Sequence, residues 1–569
     1  MAPPWRSAPV RPEERRMNRK SSVALLLPAL LGGCAASEPS APSYYGTTHP
    51  FASEAIYFLI TDRFVDGDPA NNYAEESGWD QPLVWQNGDV ANVGYLGGDF
   101  KGVLENADYI ADMGFTAVWM TPIVQNPAEA FTGGDPIRRE GFAMDRGKAG
   151  YHGYWGVNFY RLDKHLPSEG LDYADFTRAM ADKGLKSVLD VVINHGSPAY
   201  TMPEPQPDFG KLYDADGRLV ADHQNLPPQQ LDPDNEPLHR FFNTERDLAQ
   251  LADMNVEHPE VMDYFVGAYL QWLEQGAVAF RIDTVKHVPA SAWAVFSQRI
   301  RAEHPDLFMF GEVYDYDADV IGQYTRPENG GMSVLDFPMK AAMGEIFERG
   351  AGFEVLASTL HLQDGAYANP YELTTFYDNH DMPRINTSDE GFIDAHNWLF
   401  TARGIPVIYY GSEMGFERGK AEHAGNRNYF GNANIAKARE HTIRDRLSQI
   451  AQVRKRSVAL QRGLQLTLTL EGDQAIFYRV FQQDGEAQTA LVMLNKGDQA
   501  IRVEEQRYLQ PGLWTEALTG QEVVLSAGDS LNTEVPAHGV KVFLRDGAIA
   551  NDALEAALAP LMAGKTDER

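Results

Sequence analysis

The sequence predicts a (β/α)8 barrel that carries a small inserted domain and is followed by a C-terminal antiparallel β-sandwich. Between residues 51 and 457 short apolar segments alternate with longer amphipathic ones, as in a parallel sheet whose strands are joined by helices. About eight such units follow one another, which is the number that closes a barrel. An open, doubly wound sheet is the alternative, but no Gly-rich turn follows the first strand.

The eight apolar segments are short and rich in β-branched and aromatic residues, which favours strands over buried helices. They are AIYFLI from Ala55, TAVWM from Thr116, SVLDVVI from Ser187, AVAFRI from Ala277, LFMFGE from Leu307, SVLDF from Ser333, TTFY from Thr374 and VIYYG from Val407. Helical periodicity between them is clearest over residues 173–183, 259–275, 290–303 and 442–454.

Changes in composition and in apolar periodicity along the sequence mark the domain boundaries. Residues 51–195 and 259–457 form the two parts of the barrel, and residues 196–258, rich in Pro, Asp and Asn, interrupt them. A connection of that length is functional or a small domain of its own. Residues 458–546 alternate apolar segments with turn residues, which predicts the β-sandwich, and residues 547–569 form a tail with a short helix.

The first 34 residues have the features of an export signal. Arg19 and Lys20 precede a short apolar run, and small residues surround Cys34. The stretch LGGC resembles the lipobox of bacterial lipoproteins, which implies lipidation of Cys34; an ordinary secretory signal is the alternative. We expect an exported protein with a linker over residues 35–50, held by lipid at the outer membrane because Ala35 follows the cysteine.

The composition restricts the partners. The net charge is −31, from 49 basic and 80 acidic residues, which argues against nucleic acid because phosphates would be repelled. The balance fits a neutral substrate and leaves carboxylates for calcium, although a solubilising surface explains most of them. The single cysteine excludes an intrachain disulfide, and we expect a monomer.

Polar residues stand at the ends of several predicted strands. Barrel enzymes place their chemistry at the carboxyl ends of the strands, so these side chains should converge on one rim. For Arg281 and Asp283 on their own, a structural ion pair is the alternative. The residues concerned are Asn194, His195, Arg281, Asp283, Glu312, His380 and Asp381.

Two carboxylates on facing strands are what the cleavage of a glycosidic bond requires. Arg281 lies on the same face of its strand as Asp283 and favours the ionised form of that aspartate, which predicts a nucleophile. Glu312 has no cation beside it in sequence and follows the apolar run LFMF. Desolvation should therefore raise its pKa and suit it to act as the acid. Asp381 would bind sugar hydroxyls.

Six motifs give the chain, from about residue 50 to 545, a resemblance to the α-amylase family of glycoside hydrolases. DVVINH, FRIDTVKH, FGEVY and FYDNHD match its four sequence regions in order, and LADMN and YHGYW match further motifs. The resemblance implies a retaining enzyme acting on α-1,4-glucans, with Asp283 as nucleophile, Glu312 as acid/base and Asp381 as transition-state stabiliser. It also implies substrate contacts from His152, Tyr154, His195, Arg281, Lys286, His287 and His380, although core packing alone would explain the aromatic cluster YHGYW.

The segment DRFVDGDPANN supplies oxygen donors of the kind that calcium prefers, although a plain surface turn has the same composition. With GGDF it resembles the calcium loop of cyclodextrin glucanotransferases. That resemblance implies a first site made by Asp66, Asp68, Asn71, Asn72, the Gly97 carbonyl and Asp99. A second implied site uses Asn194, Asp253 and the His287 carbonyl.

The same catalytic residues serve hydrolysis and glucosyl transfer. Cyclising transferases of this family carry an aromatic residue four positions before the calcium aspartate of the LADxN motif, where this chain has Ala249. They also extend through further β domains, whereas this sequence has one. Both differences favour hydrolysis; a transferase, or a surface glycan-binding lipoprotein without catalysis, is the alternative. The intact acidic trio argues against the last. Residues 126–148 should shape the outer subsites.

Overall fold

Eight parallel strands form one sheet at the centre of the computed structural model, which describes residues 42–76, 78–141 and 143–562. The strands follow one another in chain order around the sheet, and a parallel bridge between Leu335 and Thr374 closes it. The predicted barrel and its eight strands are therefore confirmed. They are β1 Ile56–Leu59, β2 Ala117–Met120, β3 Lys186–Val191, β4 Ala277–Ile282, β5 Phe308–Gly311, β6 Ser333–Val334, β7 Thr374–Thr375 and β8 Ile405–Tyr409.

The barrel strands are buried on both faces, which explains why they are continuous apolar runs rather than alternating ones. Inside the barrel the ring of Phe58 stacks on Trp119 with 3.8 Å between centroids. The α-helices are Thr61–Phe64, Phe100–Glu105, Ala107–Asp112, Tyr173–Asp182, Pro259–Glu274, Ala290–Glu303, Ala318–Gly322, Phe337–Phe347, Asp389–Thr401, Gly431–Ala438, Thr442–Lys455, Val458–Arg462 and Asp552–Met562.

The connection after β3 contains one hairpin and one long-range antiparallel strand pair. Lys211–Tyr213 pairs with Leu219–Asp222, and His195–Pro198 pairs with Leu251–Asp253. The second pair returns the chain to the barrel rim, because Asp253 lies opposite His195 in its register. A separate apolar cluster joins this connection to the one after β2; it consists of Phe131, Trp155, Met202 and Phe209.

Two further antiparallel pairs lie in the connections on the same side of the barrel. Pro82–Val84 and Val90–Asn92 form a hairpin after β1, and Val124–Gln125 pairs with the distant Asn158–Leu162 after β2. The sequence analysis did not predict these pairs, because they depend on tertiary contacts.

The C-terminal domain is antiparallel throughout. Its strands are β9 Leu464–Glu471, β10 Gln474–Gln483, β11 Glu486–Asn495, β12 Ile501–Glu505, β13 Gly512–Glu516, β14 Glu522–Leu525, β15 Leu531–Val535 and β16 Gly539–Asp546. Six of them form a sheet in the order β9–β10–β11–β16–β13–β14, and β12 pairs separately with β15. The helix Asp552–Met562 packs Leu554, Leu558 and Leu561 against this domain, which confirms the short helix predicted in the tail.

The predicted export signal over residues 1–34, with Cys34, lies outside the described residues, as do the first residues of the linker and residues 563–569. Within the described part of the chain, no helix combines the length and the apolar character needed to cross a membrane.

Candidate active site

A cavity of about 750 Å³ opens at the carboxyl ends of the barrel strands. Every catalytic and substrate-binding residue predicted from the sequence lines it, with the exception of Arg281. The lining comprises Ala143, Asp145, Lys148, His152, Tyr154, Trp155, His195, Asp247, Leu248, Ala249, Leu251, Asp283, Thr284, Lys286, His287, Glu312, Tyr314, His380, Asp381, Glu422 and Arg427.

Arg281 lies beneath the cavity floor, fully buried, and its guanidinium contacts three carboxylates. Nη1 lies 2.7 Å from Asp283 Oδ1 and 2.9 Å from Asp190 Oδ1, and Nη2 lies 2.8 Å from Glu312 Oε2. The sheet register brings these groups together: the Glu312 amide donates to the Ile282 carbonyl at 2.7 Å. The Arg281–Asp283 pair is thus part of the site and not an isolated structural ion pair.

One cation cannot balance three buried carboxylates, so at least one of them should hold a proton. Burial raises the pKa of Glu312 well above its usual value, and the charges of Asp283 and Asp381 act in the same direction against Arg281. Glu312 has no cation beside it in sequence, but Arg281 reaches it from the neighbouring strand. The predicted protonated state of Glu312 nevertheless follows from the surplus of negative charge.

A strained turn follows Asp283. Thr284 has φ +49° and ψ +36°, a left-handed conformation that a β-branched residue rarely adopts. The turn leads into the 3₁₀ segment Val285–His287, which brings Lys286 and His287 to the cavity wall. Gly311 permits this packing, since a Cβ there would lie 2.7 Å from Val285 Cγ2.

The imidazoles and the phenol around the acidic residues are neutral hydrogen-bonding groups. Burial lowers the pKa of His152 and of His380 well below the usual histidine value. Tyr154 donates its hydroxyl to Asp190 Oδ2 at 2.8 Å, and its ring stacks on His380 with 5.2 Å between centroids. Neutral donors of this kind suit the hydroxyls of an uncharged sugar.

A second group of charges, which the sequence analysis missed, lies on the other side of Asp381. Arg427 Nη2 is 2.8 Å from Asp381 Oδ1, and its Nη1 is 2.9 Å from Glu422 Oε1. Lys148 lies 2.9 Å from the same Glu422 oxygen and 2.8 Å from Asp145 Oδ1. These residues lie in connections without a recognisable motif, so only the fold reveals them.

Lys286, His287 and Tyr314 line the opposite side of the cavity. Lys286 Nζ is 2.7 Å from Asp315 Oδ2, and His287 Nδ1 is 3.0 Å from Asp247 Oδ1. Ala249 lines the same cavity, so no large side chain stands at that position.

The donors of the first predicted calcium site lie close together. Asn72 Nδ2 donates to Asp66 Oδ2 at 2.8 Å, and Asp99 accepts from the Asp68 amide at 2.8 Å. Three further side-chain oxygens, Asp66 Oδ1, Asn71 Oδ1 and Asn72 Oδ1, are buried without a hydrogen-bond partner. Gly97, with φ +90°, leaves room that a Cβ would fill, since the added atom would lie 2.4 Å from Asn72 Oδ1. Unpaired buried oxygens around such a space fit a hard cation.

The second predicted site includes a carboxylate that the sequence analysis did not identify. Asn194 Nδ2 is 3.4 Å from Asp247 Oδ2, and Asp247 contacts the His287 ring. Burial raises the pKa of Asp253 to about 6, and the charge of Asp247 adds to that effect. Among the residues described, no three His, Cys, Asp or Glu side chains form a group that could hold a metal ion.

Comparisons with known proteins agree with this geometry. A profile of the α-amylase catalytic domain matches residues 58–457. A beta/alpha-amylase of Paenibacillus polymyxa is 29% identical over 87% of this chain and 38% of its own length. A cyclomaltodextrin glucanotransferase of Bacillus licheniformis is 29% identical over 78% of this chain and 59% of its own. The chain thus spans less than two thirds of these two relatives, whereas an alpha-amylase of Niallia circulans is 28% identical over 91% of this chain and 95% of its own.

Solved structures give the same result. The alpha-amylase GTA of Geobacillus thermoleovorans, complexed with acarbose, has a TM-score of 0.64 and 26% identity, covering 88% of this chain and 99% of its own. CldA, described as the first cyclomaltodextrin glucanotransferase with a three-domain ABC distribution, has a TM-score of 0.69 and 28% identity over 87% and 99%. The inference against transfer from the number of domains was therefore wrong. The matched catalytic domain, the barrel and the acidic cavity establish that the chain belongs to the α-amylase family of glycoside hydrolases.

Proposed function

We propose that the protein hydrolyses α-1,4-glucosidic bonds in starch, glycogen or maltooligosaccharides with retention at the anomeric carbon. The observation that carries the proposal is the pair of carboxylates, Asp283 and Glu312, bound to one buried arginine at the floor of a single cavity. A carboxylate and a carboxylic acid held together in this way are the two groups of glycosidic cleavage.

In the first step Asp283, ionised beside Arg281, attacks the anomeric carbon while Glu312 gives its proton to the departing glycosidic oxygen. The covalent glycosyl ester is then hydrolysed by a water molecule that Glu312, now ionised, deprotonates. Asp381, held by Arg427 at 2.8 Å, would bind sugar hydroxyls of the distorted ring. Arg281 contacts both Asp283 and Glu312, so its positive charge stabilises whichever of the two carboxylates is ionised in each step.

Hydrolysis rather than transfer is favoured by Ala249. The site lacks a large side chain at the position where cyclising relatives hold an aromatic residue, so a glucan has no platform there on which to curl. The small residue also leaves space for water, which is the acceptor in hydrolysis. Because the relatives include both alpha-amylases and glucanotransferases, the products have to be measured.

The proposal is tested by incubation with soluble starch, with reducing-end release, the anomeric configuration of the first product and product chromatography as readouts. We expect linear α-configured oligosaccharides and the loss of release in Asp283→Asn. Equal activity of that variant would exclude the assigned nucleophile. Cyclic products as the main fraction would support the transferase instead, and tight starch binding without release would support a glycan-binding protein.

We propose that calcium occupies the loop formed by Asp66, Asp68, Asn71, Asn72, Gly97 and Asp99. The three unpaired buried oxygens support this proposal. A second ion beside Asn194, Asp253 and the His287 carbonyl is supported by the proximity of Asp247 to Asp253, whose negative charges a cation would balance. Calcium would supply charge neutralisation and fix the loops around the cavity.

We also propose that the protein is exported and anchored to a membrane by lipid on Cys34. The basic start, the apolar run and the small residues around the only cysteine of the chain support this proposal.

A further inference from the structure

A chain of alternating charges lines one part of the cavity. Lys148 is 4% exposed, and its ammonium group lies between Asp145 and Glu422, at 2.8 Å and 2.9 Å. Arg427 continues the alternation from Glu422 to Asp381. Although burial acts in the opposite direction in both cases, Arg427 and Lys148 hold the pKa of Glu422 well below its usual value, and Asp145 and Glu422 raise the pKa of Lys148.

The ion pair between Lys148 and Glu422 joins two connections that are far apart in sequence. Lys148 belongs to the connection after β2, and Glu422 to the connection after β8. Both side chains line the cavity, so their contact forms part of its wall. Tyr314 lies two residues after the acid Glu312 and also lines the cavity, and Lys286 pairs with Asp315 at 2.7 Å. This part of the cavity therefore lies next to the group that protonates the leaving oxygen, whereas Arg427 and Glu422 lie next to Asp381.

A third connection braces this wall from outside. Asp89, in the turn between Pro82–Val84 and Val90–Asn92, is 6% exposed and forms ion pairs with Arg139 and Lys420. The indole Nε1 of Trp85, in the same hairpin, donates to the His423 carbonyl at 2.5 Å. The hairpin after β1 thus contacts both connections that supply the wall, at residues next to those that line the cavity.

We propose that Asp145, Lys148, Glu422 and Arg427 end the substrate cleft on the donor side, so that a glucan is cut a fixed short distance from its non-reducing end. This inference rests on the hydrolysis proposed above. A chain passing through the wall would have to separate ions that are buried together, and the unpaired charges would be costly to leave. A chain that stops at the wall leaves these pairs intact and presents its terminal hydroxyls to Lys148 and Glu422.

The test compares two maltoheptaosides, one with a free non-reducing end and one with that end blocked by an ethylidene acetal. Wild type should cleave the free substrate at least about tenfold faster in kcat/KM, because the blocked end cannot fit against the wall. Lys148→Ala should bring the ratio of the two rates towards one and broaden the lengths of the products from starch. The control Lys183→Ala, which removes an exposed pair with Asp108 at 2.9 Å, should keep the wild-type ratio.

Two results would overturn the inference while leaving hydrolysis in place: equal cleavage of both substrates by wild type, or an unchanged ratio in a Lys148→Ala enzyme that still unfolds cooperatively. If Lys148→Ala fails to fold, the double variant Lys148→Met/Glu422→Gln takes its place in the comparison, because it removes both charges and keeps the volume of both side chains. A wild type that cleaves neither substrate would overturn the proposed hydrolysis itself.

Discussion

Arg281 shows why single residues of this site have to be considered as a set. Its guanidinium contacts Asp190, Asp283 and Glu312, and Asp190 also accepts from the Trp119 indole at 2.8 Å. Burial raises the pKa of Asp190 to about 7, and that of Glu312 is also raised. The raised pKa favours the protonated form of Glu312, next to the bond that has to be protonated.

The protonated state of Glu312 predicts a pH dependence. Because the acid form is the active one, kcat/KM for a maltooligosaccharide should fall as the pH rises through the pKa of Glu312. The raised pKa places this fall at higher pH than for an ordinary glutamate. A maltosyl fluoride needs no proton on its leaving group, so its kcat/KM should show no such fall. A similar alkaline fall for both substrates would point to another titrating group.

Substitution separates the two carboxylates in the same way. Glu312→Gln should lower kcat/KM for maltooligosaccharides by about 10²- to 10⁴-fold, the usual contribution of a general acid, while maltosyl fluoride still forms the glycosyl enzyme. Asp283→Asn should fail with both substrates because no nucleophile remains. Rapid-quench measurement of fluoride release distinguishes the variants, and fluoride release by Asp283→Asn at the wild-type rate would reverse the two roles.

The residues predicted from sequence are those that follow strands. Asp283, Glu312 and Asp381 were identifiable because barrel strands fix which residues reach the rim. Lys148, Glu422 and Arg427 could not be predicted, since each lies in a long connection whose course depends on packing with the others. Asp247 escaped for the same reason, although it lies only a few residues before Asp253.

At the scale of elements, the loop of the first calcium site predicts a ligand-dependent stability. An ion that binds only the folded protein stabilises it by RT ln(1 + [L]/Kd), about 2.7 kcal/mol at one hundred times Kd. Excess chelator should therefore lower the melting temperature, and calcium should restore it. Asn72→Ala should reduce that difference, whereas the exposed Asn235→Ala should not. An unchanged melting temperature in chelator would exclude a structural ion.

His538 links the helix Asp389–Thr401 to the C-terminal domain. His538 Nδ1 is 2.7 Å from Asp394 Oδ2, and its Nε2 is 3.0 Å from Asp498 Oδ1. His538→Ala should lower the free energy of unfolding by about 1–3 kcal/mol, because Asp394 is buried and loses this partner. Activity should remain, since neither residue lines the cavity. Denaturant unfolding of His538→Ala, Asp394→Ala and the double variant measures the coupling between the two residues. Strictly additive losses of unfolding free energy would contradict a direct interaction.

Strands and helices were predicted from the sequence where their apolar residues recur with a regular period. The eight barrel strands and four of the helices were found because each repeats a clear apolar pattern over several residues. The strand pairs Pro82–Val84/Val90–Asn92 and Val124–Gln125/Asn158–Leu162 were missed, because their pairing depends on tertiary contacts. Both pairs lie in long connections between barrel strands, which are the parts of the fold least visible in the sequence.

For the whole molecule, the net charge of −31 bears on how it could be attached to a membrane. Anionic lipid head groups repel such a body, so attraction between charges would not hold it at a bilayer surface. An attached form would need buried hydrocarbon, and stable anchoring takes more than one acyl chain. The proposed modification of Cys34 would supply those chains.

The anchor is tested by expressing the full chain and Cys34→Ser in a bacterium supplied with labelled fatty acid. Because Cys34 is the only cysteine, a label removed by this substitution identifies the modified residue without mapping. We expect wild type to stay with membranes in high salt and to enter the detergent phase on phase separation. The variant should do neither, while its starch-degrading activity per molecule remains, since the cavity is formed by residues from Ala143 onwards. Release of wild type by high salt would show that charges hold it, and label retained in Cys34→Ser would place the lipid on another residue.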